Sequence, residues 1–144
     1  MMPMMFRNNS AIYLFSGKSA ILMDCSEGTY GQIVDYCGDQ AKVDAVVRKT
    51  RVLYITHLHG DHNLGLPRFL DERDKLLAEM PASERTTLYL LAPQCLLDWI
   101  EITGKRLAHP EHVCVIPHHI VCPQKYYRHQ NMDFTRVEPL FDRE

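Results

Sequence analysis

Residues 53–65 read Leu-Tyr-Ile-Thr-His-Leu-His-Gly-Asp-His-Asn-Leu-Gly. The stretch begins as an apolar, β-prone run and ends with three histidines and one aspartate within six positions. Residues two apart on an extended chain point to the same side, so His57 and His59 are placed to bind one metal ion. Asp61 and His62 follow in a turn, which Gly60 permits because it has no Cβ, and they are placed to bind a second metal ion.

The side chains of this loop also restrict the kind of metal. Imidazole nitrogens and carboxylate oxygens suit zinc, manganese or iron rather than a site built from thiolates. The alternative is a set of ordinary solvated loop histidines. Four metal-binding types of side chain directly after a buried-type strand favour a metal site over that alternative.

Length and charge restrict the architecture and the partners. A chain of 144 residues builds one core rather than two. Its 46% apolar and 24% charged residues are typical of a globular domain. The net charge of −2 excludes binding of nucleic acid by bulk charge, so any RNA contact has to come from local basic patches.

The cysteines and the N-terminus give an expectation about location. The five cysteines are odd in number and form no Cys-x-x-Cys pair, which predicts reduced, mostly buried thiols in an intracellular protein. We expect no membrane partner, since no apolar stretch has transmembrane length. The first seven residues have the pattern of neither a secretory signal nor a mitochondrial presequence.

Strand-like and helix-like stretches alternate along the chain, which predicts a layered α/β domain. The predicted strands are residues 11–15, 20–24, 51–56, 87–92 and 112–116, the first two forming a hairpin around Gly17. Apolar residues at helical spacing predict helices near 30–36, 43–47 and 66–77 and after Pro93. In the last of these, Trp99 shares helical spacing with Leu96 and is expected in the core. Beyond Pro117 the pattern is irregular, with one weak strand near 133–137.

Three stretches together carry a resemblance to a known family. Residues 57–66 match the metal-loop signature of the metallo-β-lactamase superfamily. Residues 24–32, Asp-Cys-Ser-Glu-Gly-Thr-Tyr-Gly-Gln, and residues 3–8, Pro-Met-Met-Phe-Arg-Asn, are similar to two further motifs of ribonuclease Z, the tRNA 3′-processing endonuclease. The order and spacing resemble the C-terminal catalytic half of the long, eukaryote-type enzymes. The likeness covers residues 3–117.

The resemblance implies a metallo-β-lactamase-type αββα sandwich, of which this chain has the N-terminal half. Residues 1–117 would then be the N-terminal part of the catalytic domain, and residues 118–144 an irregular tail. The sequence departs from the family at Met5, where a lysine is usual, and at Ser26, where a glycine is usual. A third site-one histidine, a bridging aspartate and a final histidine are also missing. The candidates of the right type, in unmatched contexts, are His118, His119, His129 and Asp133.

The resemblance also implies an activity and a ligand set. His57 and His59 would hold one zinc ion, and Asp61 and His62 the second, with manganese as an alternative metal. Two metals about 3.5–4 Å apart activate water and clamp the oxygens of a phosphodiester, with Asp61 and His62 as the catalytic pair. The implied substrate is precursor tRNA, which the family cuts after the discriminator base, and the implied compartment is the nucleus or the mitochondrion.

Three further residues have weaker roles with alternatives. Asp24 ends a strand beside residues 57–62, called the metal loop below. There it would either support a metal-binding histidine or cap the turn that follows. Arg7 and Asn8 would contact RNA by family resemblance, or else lie in a solvated loop.

The missing ligands leave three functional readings open. The first is a zinc-dependent tRNA 3′ endoribonuclease that is incomplete, and therefore inactive, as this isolated chain. The second is a non-catalytic truncated or partner-binding fragment, completed by a second chain or by a missing C-terminal half. The third is another metallo-β-lactamase-type hydrolase acting on a thioester or a lactam, against which the motifs at 24–32 and 3–8 count.

Overall fold

The computed structural model describes residues 10–102 and 110–121, which fold around one five-stranded sheet. The strands are β1 (Ile12–Ser16), β2 (Ser19–Met23), β3 (Thr50–Tyr54), β4 (Leu88–Ala92) and β5 (Val113–Pro117). The helices are α1 (Thr29–Cys37), α2 (Gln40–Lys49), α3 (Gly60–Asn63), α4 (Leu66–Ala78), α5 (Gln94–Ile102) and α6 (His118–Val121). Two short 3-10 turns lie at Ala82–Glu84 and Pro110–His112.

The first two strands form the predicted hairpin. β1 and β2 pair antiparallel, and Gly17 makes the turn with φ of 52°, in the left-handed region that glycine adopts without steric cost. The pairing places Leu14 opposite Ile21 and Tyr13 opposite Leu22. Because facing residues share a face of the sheet, these two pairs lie on opposite faces.

The remaining strands are parallel and follow one another in sheet order from β2 to β5. Parallel neighbours need long connections, and α1 to α5 supply them. Leu53 stands at the centre, in register with Leu22 on one side and Leu90 on the other. All three are buried.

Two residues, Gly38 and Asp39, end α1 and start α2 through local signals. Gly38 has φ of 63° and its amide donates to the Val34 carbonyl, which ends α1. The Asp39 carboxylate accepts from the Ala41 amide at 2.9 Å and caps the start of α2.

The helices cover one face of the sheet. The core consists of side chains from β2, β3 and β4 packed against α1, α2, α4 and α5, namely Leu22, Ile33, Val43, Val47, Leu53, Leu66, Phe69, Leu70, Leu88, Leu90 and Leu96. On the opposite face, Ile12, Leu14 and Ile21 are 58%, 49% and 39% exposed. The described residues thus supply one helical layer and one sheet of the predicted sandwich.

Two expectations about burial were wrong in part. Trp99 is 41% exposed, whereas Leu96 on the same helix is buried. α5 buries a narrow stripe, and helical spacing does not distinguish the centre of a stripe from its margin. Among the described cysteines, which are all free, Cys25 is buried but Cys95 is exposed.

Several predictions fall at or beyond the limits of the described residues. Residues 118–121, the start of the expected tail, form the single helical turn α6. Residues 122–144, with Cys122 and the weak strand at 133–137, lie outside the described residues, as do Arg7 and Asn8. No helix in the described ranges is long and apolar enough to cross a membrane.

Candidate metal centre

Two loops that are separate in sequence meet at one edge of the sheet. β2 and β3 are parallel neighbours, with Met23 in register with Tyr54, so their carboxyl ends lie side by side. The residues that follow are Asp24 on one strand and Ile55 and Thr56 on the other. The motif at 24–32 is therefore brought next to the metal loop by strand pairing alone.

Backbone hydrogen bonds join the two loops. The Asp24 amide donates to the Tyr54 carbonyl at 2.8 Å, and the Cys25 amide donates to the His62 carbonyl at 2.8 Å. The Gly65 amide in turn donates to the Cys25 carbonyl at 2.9 Å. A Cβ on Gly65 would lie 2.6 Å from the carbonyl carbon of Ser26, so only glycine fits at this crossing.

The carboxylate of Asp24 lies at the centre of the site's hydrogen bonds. It accepts from the Thr56 amide at 2.7 Å and contacts the Thr56 hydroxyl at 2.9 Å through both oxygens. Its Oδ2 lies 2.7 Å from Nδ1 of His62. Asp24 is therefore hydrogen-bonded to His62, and the role expected from the sequence, support of a metal-binding histidine, stays a prediction.

The backbone at Asp24 is unusual as well. Its φ of 58° makes it the one non-glycine residue with positive φ in the described part of the chain. Residues held in this region carry a conformational cost and persist where the surroundings determine them. Here the Asp24 amide donates to the Tyr54 carbonyl, and contacts with Thr56 and His62 orient the carboxylate toward the metal loop.

These contacts also set the charge of the carboxyl. Burial on its own raises the pKa of Asp24, but the hydrogen bonds from the Thr56 amide, the His62 ring and the Thr56 hydroxyl outweigh it. The pKa of Asp24 consequently lies below its usual range, and the side chain is an anion at neutral pH.

The three histidines of the loop lie together. The ring of His57 is 4.6 Å from that of His59 and 4.0 Å from that of His62, centroid to centroid. His59 precedes the helical turn α3, and its carbonyl accepts from the His62 amide at 2.9 Å. Asp61 and His62 lie within that turn, with 3.7 Å between Asp61 Oδ2 and His62 Nε2.

This donor set fits a metal in its chemistry but is incomplete in number. Three imidazoles and a carboxylate are the ligands zinc accepts. Yet within residues 10–102 and 110–121 no three His, Cys, Asp or Glu side chains converge on a position where they could hold one ion. That His57 with His59, and Asp61 with His62, each bind one metal ion stays a prediction.

Of the other histidines considered from the sequence, His118 and His119 lie in the described residues and join no group of three metal-binding side chains there. His118 follows β5 at the same edge of the sheet, two strands from β3, and its ring packs 5.1 Å from that of Tyr54. Burial lowers the pKa of His118, with the backbone of Ile55 and Leu91 acting in the opposite direction. His119 lies beside it in α6, whereas His129 and Asp133 lie outside the described residues.

Thr56 is a residue that the sequence reasoning missed. Its hydroxyl lies 2.8 Å from Nδ1 of His57 and at the same time contacts Asp24. A hydroxyl residue directly before the first histidine of the loop was the available signal, but its contact with Asp24 depends on the pairing of β2 with β3.

Known proteins are similar to this chain in sequence, although no protein-family model matches it. The zinc phosphodiesterase ELAC protein 2 of Homo sapiens is 38% identical over 100 residues, covering 69% of this chain and 12% of that protein. The mitochondrial ribonuclease Z of Drosophila melanogaster is 38% identical over 106 residues, covering 73% and 13%. The chain belongs to the ribonuclease Z family. It spans about an eighth of the length of these relatives.

Solved structures agree with the fold expected for a ribonuclease Z. A long-form RNase Z from yeast superposes with a TM-score of 0.61 at 20% identity, covering 82% of this chain and 16% of that one. A metallo-β-lactamase fold protein from Bacillus subtilis superposes with a TM-score of 0.54 at 16% identity, covering 76% and 39%. The predicted metallo-β-lactamase-type α/β fold is thereby confirmed.

Proposed function

We propose that this chain carries part of the active site of a zinc-dependent endoribonuclease that removes the 3′ trailer from precursor tRNA. The observation that supports it most is the contact between its two motifs. The Asp24 carboxylate, in the motif at 24–32, is hydrogen-bonded to Thr56, directly before the metal loop, and to His62 within it. Relatives with names that specify a zinc phosphodiesterase and a ribonuclease Z match 69% and 73% of this chain.

In this proposal each metal is bound by one pair of residues. His57 and His59 hold one zinc, and Asp61 and His62 hold the second, with manganese as the alternative metal. When bound, such ions supply Lewis-acid chemistry for phosphodiester hydrolysis. The side chain of Asp61 is 59% exposed, so its carboxylate is accessible to accept a proton from the attacking water.

The proposal includes the incompleteness of the site. No three His, Cys, Asp or Glu side chains of the described residues converge on one ion, and we expect the remaining ligands to come from a second chain or from a C-terminal half. Misplacement of a reacting group by about 1 Å costs about 10²-fold in rate. We therefore expect the isolated chain not to cleave at a useful rate.

Two finer points belong to the same proposal. Precursor tRNA is the partner, and by the family resemblance Arg7 and Asn8 would contact it. The compartment is the mitochondrion or the nucleus. The mitochondrial designation of the Drosophila relative supports the first of these.

A cleavage assay tests this function. A precursor tRNA labelled at its 5′ end and carrying a 3′ trailer is incubated with zinc or manganese and, in separate reactions, with each of four protein samples. These are the chain alone, the chain mixed with the C-terminal remainder of the Drosophila catalytic domain, and the same mixture in which the chain carries either Asp61→Ala or His62→Ala. His119→Ala serves as the matched control.

We expect cleavage at the trailer junction only in the complemented samples, with loss in both loop variants and retention in His119→Ala. A complemented sample that leaves the substrate intact, while the intact Drosophila enzyme cuts it, contradicts the proposed function. Cleavage by the chain alone that disappears in Asp61→Ala would place all the ligands within this chain and refute the proposed incompleteness.

A further inference from the structure

One hydroxyl group lies between the buried carboxylate and the first histidine of the metal loop. The Thr56 Oγ1 atom is 2.9 Å from both oxygens of Asp24 and 2.8 Å from Nδ1 of His57. We propose that Thr56 is a positioning residue. Its hydroxyl donates to Asp24 and accepts from His57, so that one carboxylate fixes the proton positions on two histidines. This inference rests on the proposed metal site and names how its ligands are oriented.

The direction of each hydrogen bond follows from the chemistry of the groups. An ionised carboxylate only accepts hydrogen bonds, so the single hydroxyl proton of Thr56 points to Asp24. The oxygen of that hydroxyl then has lone pairs but no proton left for His57. The contact at 2.8 Å is therefore donated by the Nδ1–H of His57.

His62 is fixed by the same carboxylate without an intermediate. Its Nδ1 lies 2.7 Å from Asp24 Oδ2, and an acceptor at that distance requires a proton on Nδ1. In the neutral imidazole the proton resides on one nitrogen only. Both His57 and His62 are therefore held with the proton on Nδ1 and a free lone pair on Nε2.

The consequence is a shared control over two ligands. A metal bonds to the unprotonated nitrogen, and the hydrogen bond at the other nitrogen sets the tautomer and the ring orientation. His57 and His62 belong to different metals in the proposed function. Asp24 thus acts on His62 directly and on His57 through Thr56, and it prepares both before a metal binds.

Three substitutions separate this role from simple packing. Thr56→Val keeps the shape of the side chain and removes the hydroxyl, whereas Thr56→Ser restores the hydroxyl. Neither changes the backbone bond from the Thr56 amide to Asp24. Asp24→Asn tests the other arm: with its oxygen still accepting the Thr56 amide, its NH₂ group faces His62 and becomes a donor.

The readout is the tautomer itself, measured on the metal-free 144-residue chain. Long-range ¹H–¹⁵N correlation spectra of ¹⁵N-histidine protein, at about pH 8.5 where ordinary histidines are neutral, distinguish Nδ1–H from Nε2–H. Single His→Gln variants assign the signals of His57 and His62. Zinc binding by calorimetry follows on the same samples, with circular dichroism as a check of folding.

We expect Nδ1–H at both histidines in the wild-type chain and in Thr56→Ser. Thr56→Val should release His57 alone, and Asp24→Asn should move His62 to Nε2–H. Zinc affinity should fall about 10–100-fold in Thr56→Val and recover in Thr56→Ser. An Nε2–H signal at His57 in the wild type overturns the inference. So does an Nδ1–H signal at His57 that stays unchanged in a folded Thr56→Val. If the tautomers behave as expected but no protein binds zinc, the proposed function fails and the hydrogen-bond arrangement stands.

Discussion

The carboxylate of Asp24 joins two segments that are 32 residues apart in the sequence. It does so from a left-handed backbone conformation, and it is ionised because hydrogen bonds from Thr56 and His62 outweigh its burial. A buried anion without such partners would be strongly unfavourable. The residue therefore couples folding to the preparation of the metal loop.

The lowered pKa of Asp24 predicts a dependence of stability on pH. Since the folded-state pKa lies below the unfolded value of about 3.9, ionised Asp24 stabilises the fold. That contribution is complete above the unfolded pKa and is lost as the pH falls through the folded-state pKa. The difference in unfolding free energy between the wild type and Asp24→Asn should be constant above about pH 5 and shrink below pH 4.

Urea denaturation at stepped pH from 7 to 3 measures this difference. Asn tolerates the left-handed conformation nearly as well as Asp, so the comparison adds little backbone strain. A difference that grows as the pH falls would contradict the prediction.

At this scale the sequence predicted the residues of the metal loop but not how they are held. It left Asp24 with two roles of equal weight and gave Thr56 none. The deciding fact, that β2 and β3 are parallel neighbours, concerns residues far apart in the chain. Hydrophobic periodicity describes each strand separately and carries no information about that pairing.

At the level of elements, backbone contacts of α3 and the start of α4 with the loop after β2 position the site. Its tightest point is Gly65, whose amide bonds to Cys25 while its α-carbon approaches the Ser26 carbonyl. The crossing is backbone against backbone, so neither side can adjust by changing a rotamer. Separation of the two loops would move His62 away from Asp24.

Gly65→Ala should therefore destabilise the fold by at least about 1–3 kcal/mol, the usual cost of overpacking. Gly31→Ala is the matched control: Gly31 lies in α1 with no atom within 4 Å of an added Cβ. That change should stabilise by about 0.5–1 kcal/mol, because alanine favours a helix. Urea unfolding midpoints report both. Equal behaviour of the two variants would mean that the loops are not held together at Gly65.

The strands and helices themselves were largely predictable from local pattern. The hairpin and the alternating order follow from short-range signals. So do the end of α1 at Gly38 and the start of α2 after Asp39. Trp99 shows the limit of that reasoning. Its spacing from Leu96 indicates a shared side of α5, but spacing does not tell the centre of the buried stripe from its margin, and Trp99 is 41% exposed.

At the scale of the whole molecule, α1, α2, α4 and α5 pack on one face of the sheet, whereas the other face is exposed at β1 and β2. Ile12, Leu14 and Ile21 present an apolar surface on the other face. Exposed apolar surface of this kind commonly mediates association. This second face could not be judged from local pattern, because a strand with apolar residues on both sides predicts burial but not the partner that provides it.

We predict that the wild-type chain associates through this face as its concentration rises. The double variant Leu14→Lys, Ile21→Glu places opposite charges on a facing pair, and it should shift sedimentation toward the monomer. Val34→Lys changes an exposed apolar residue of α1 and should leave association unchanged. A monodisperse wild-type monomer with a sharp thermal transition would contradict this prediction.

The central claim is that the loop at 57–62 binds metal, and a zinc titration by calorimetry tests it most directly. The wild-type chain is compared with the double variant His57→Ala, His59→Ala, and with His119→Ala as a control outside the loop. Binding should be weak, because each ion finds about two protein ligands where catalytic zinc sites usually have three. We predict measurable zinc binding by the wild type and by His119→Ala, and its loss in the double variant. Equal zinc binding by all three proteins would contradict the account.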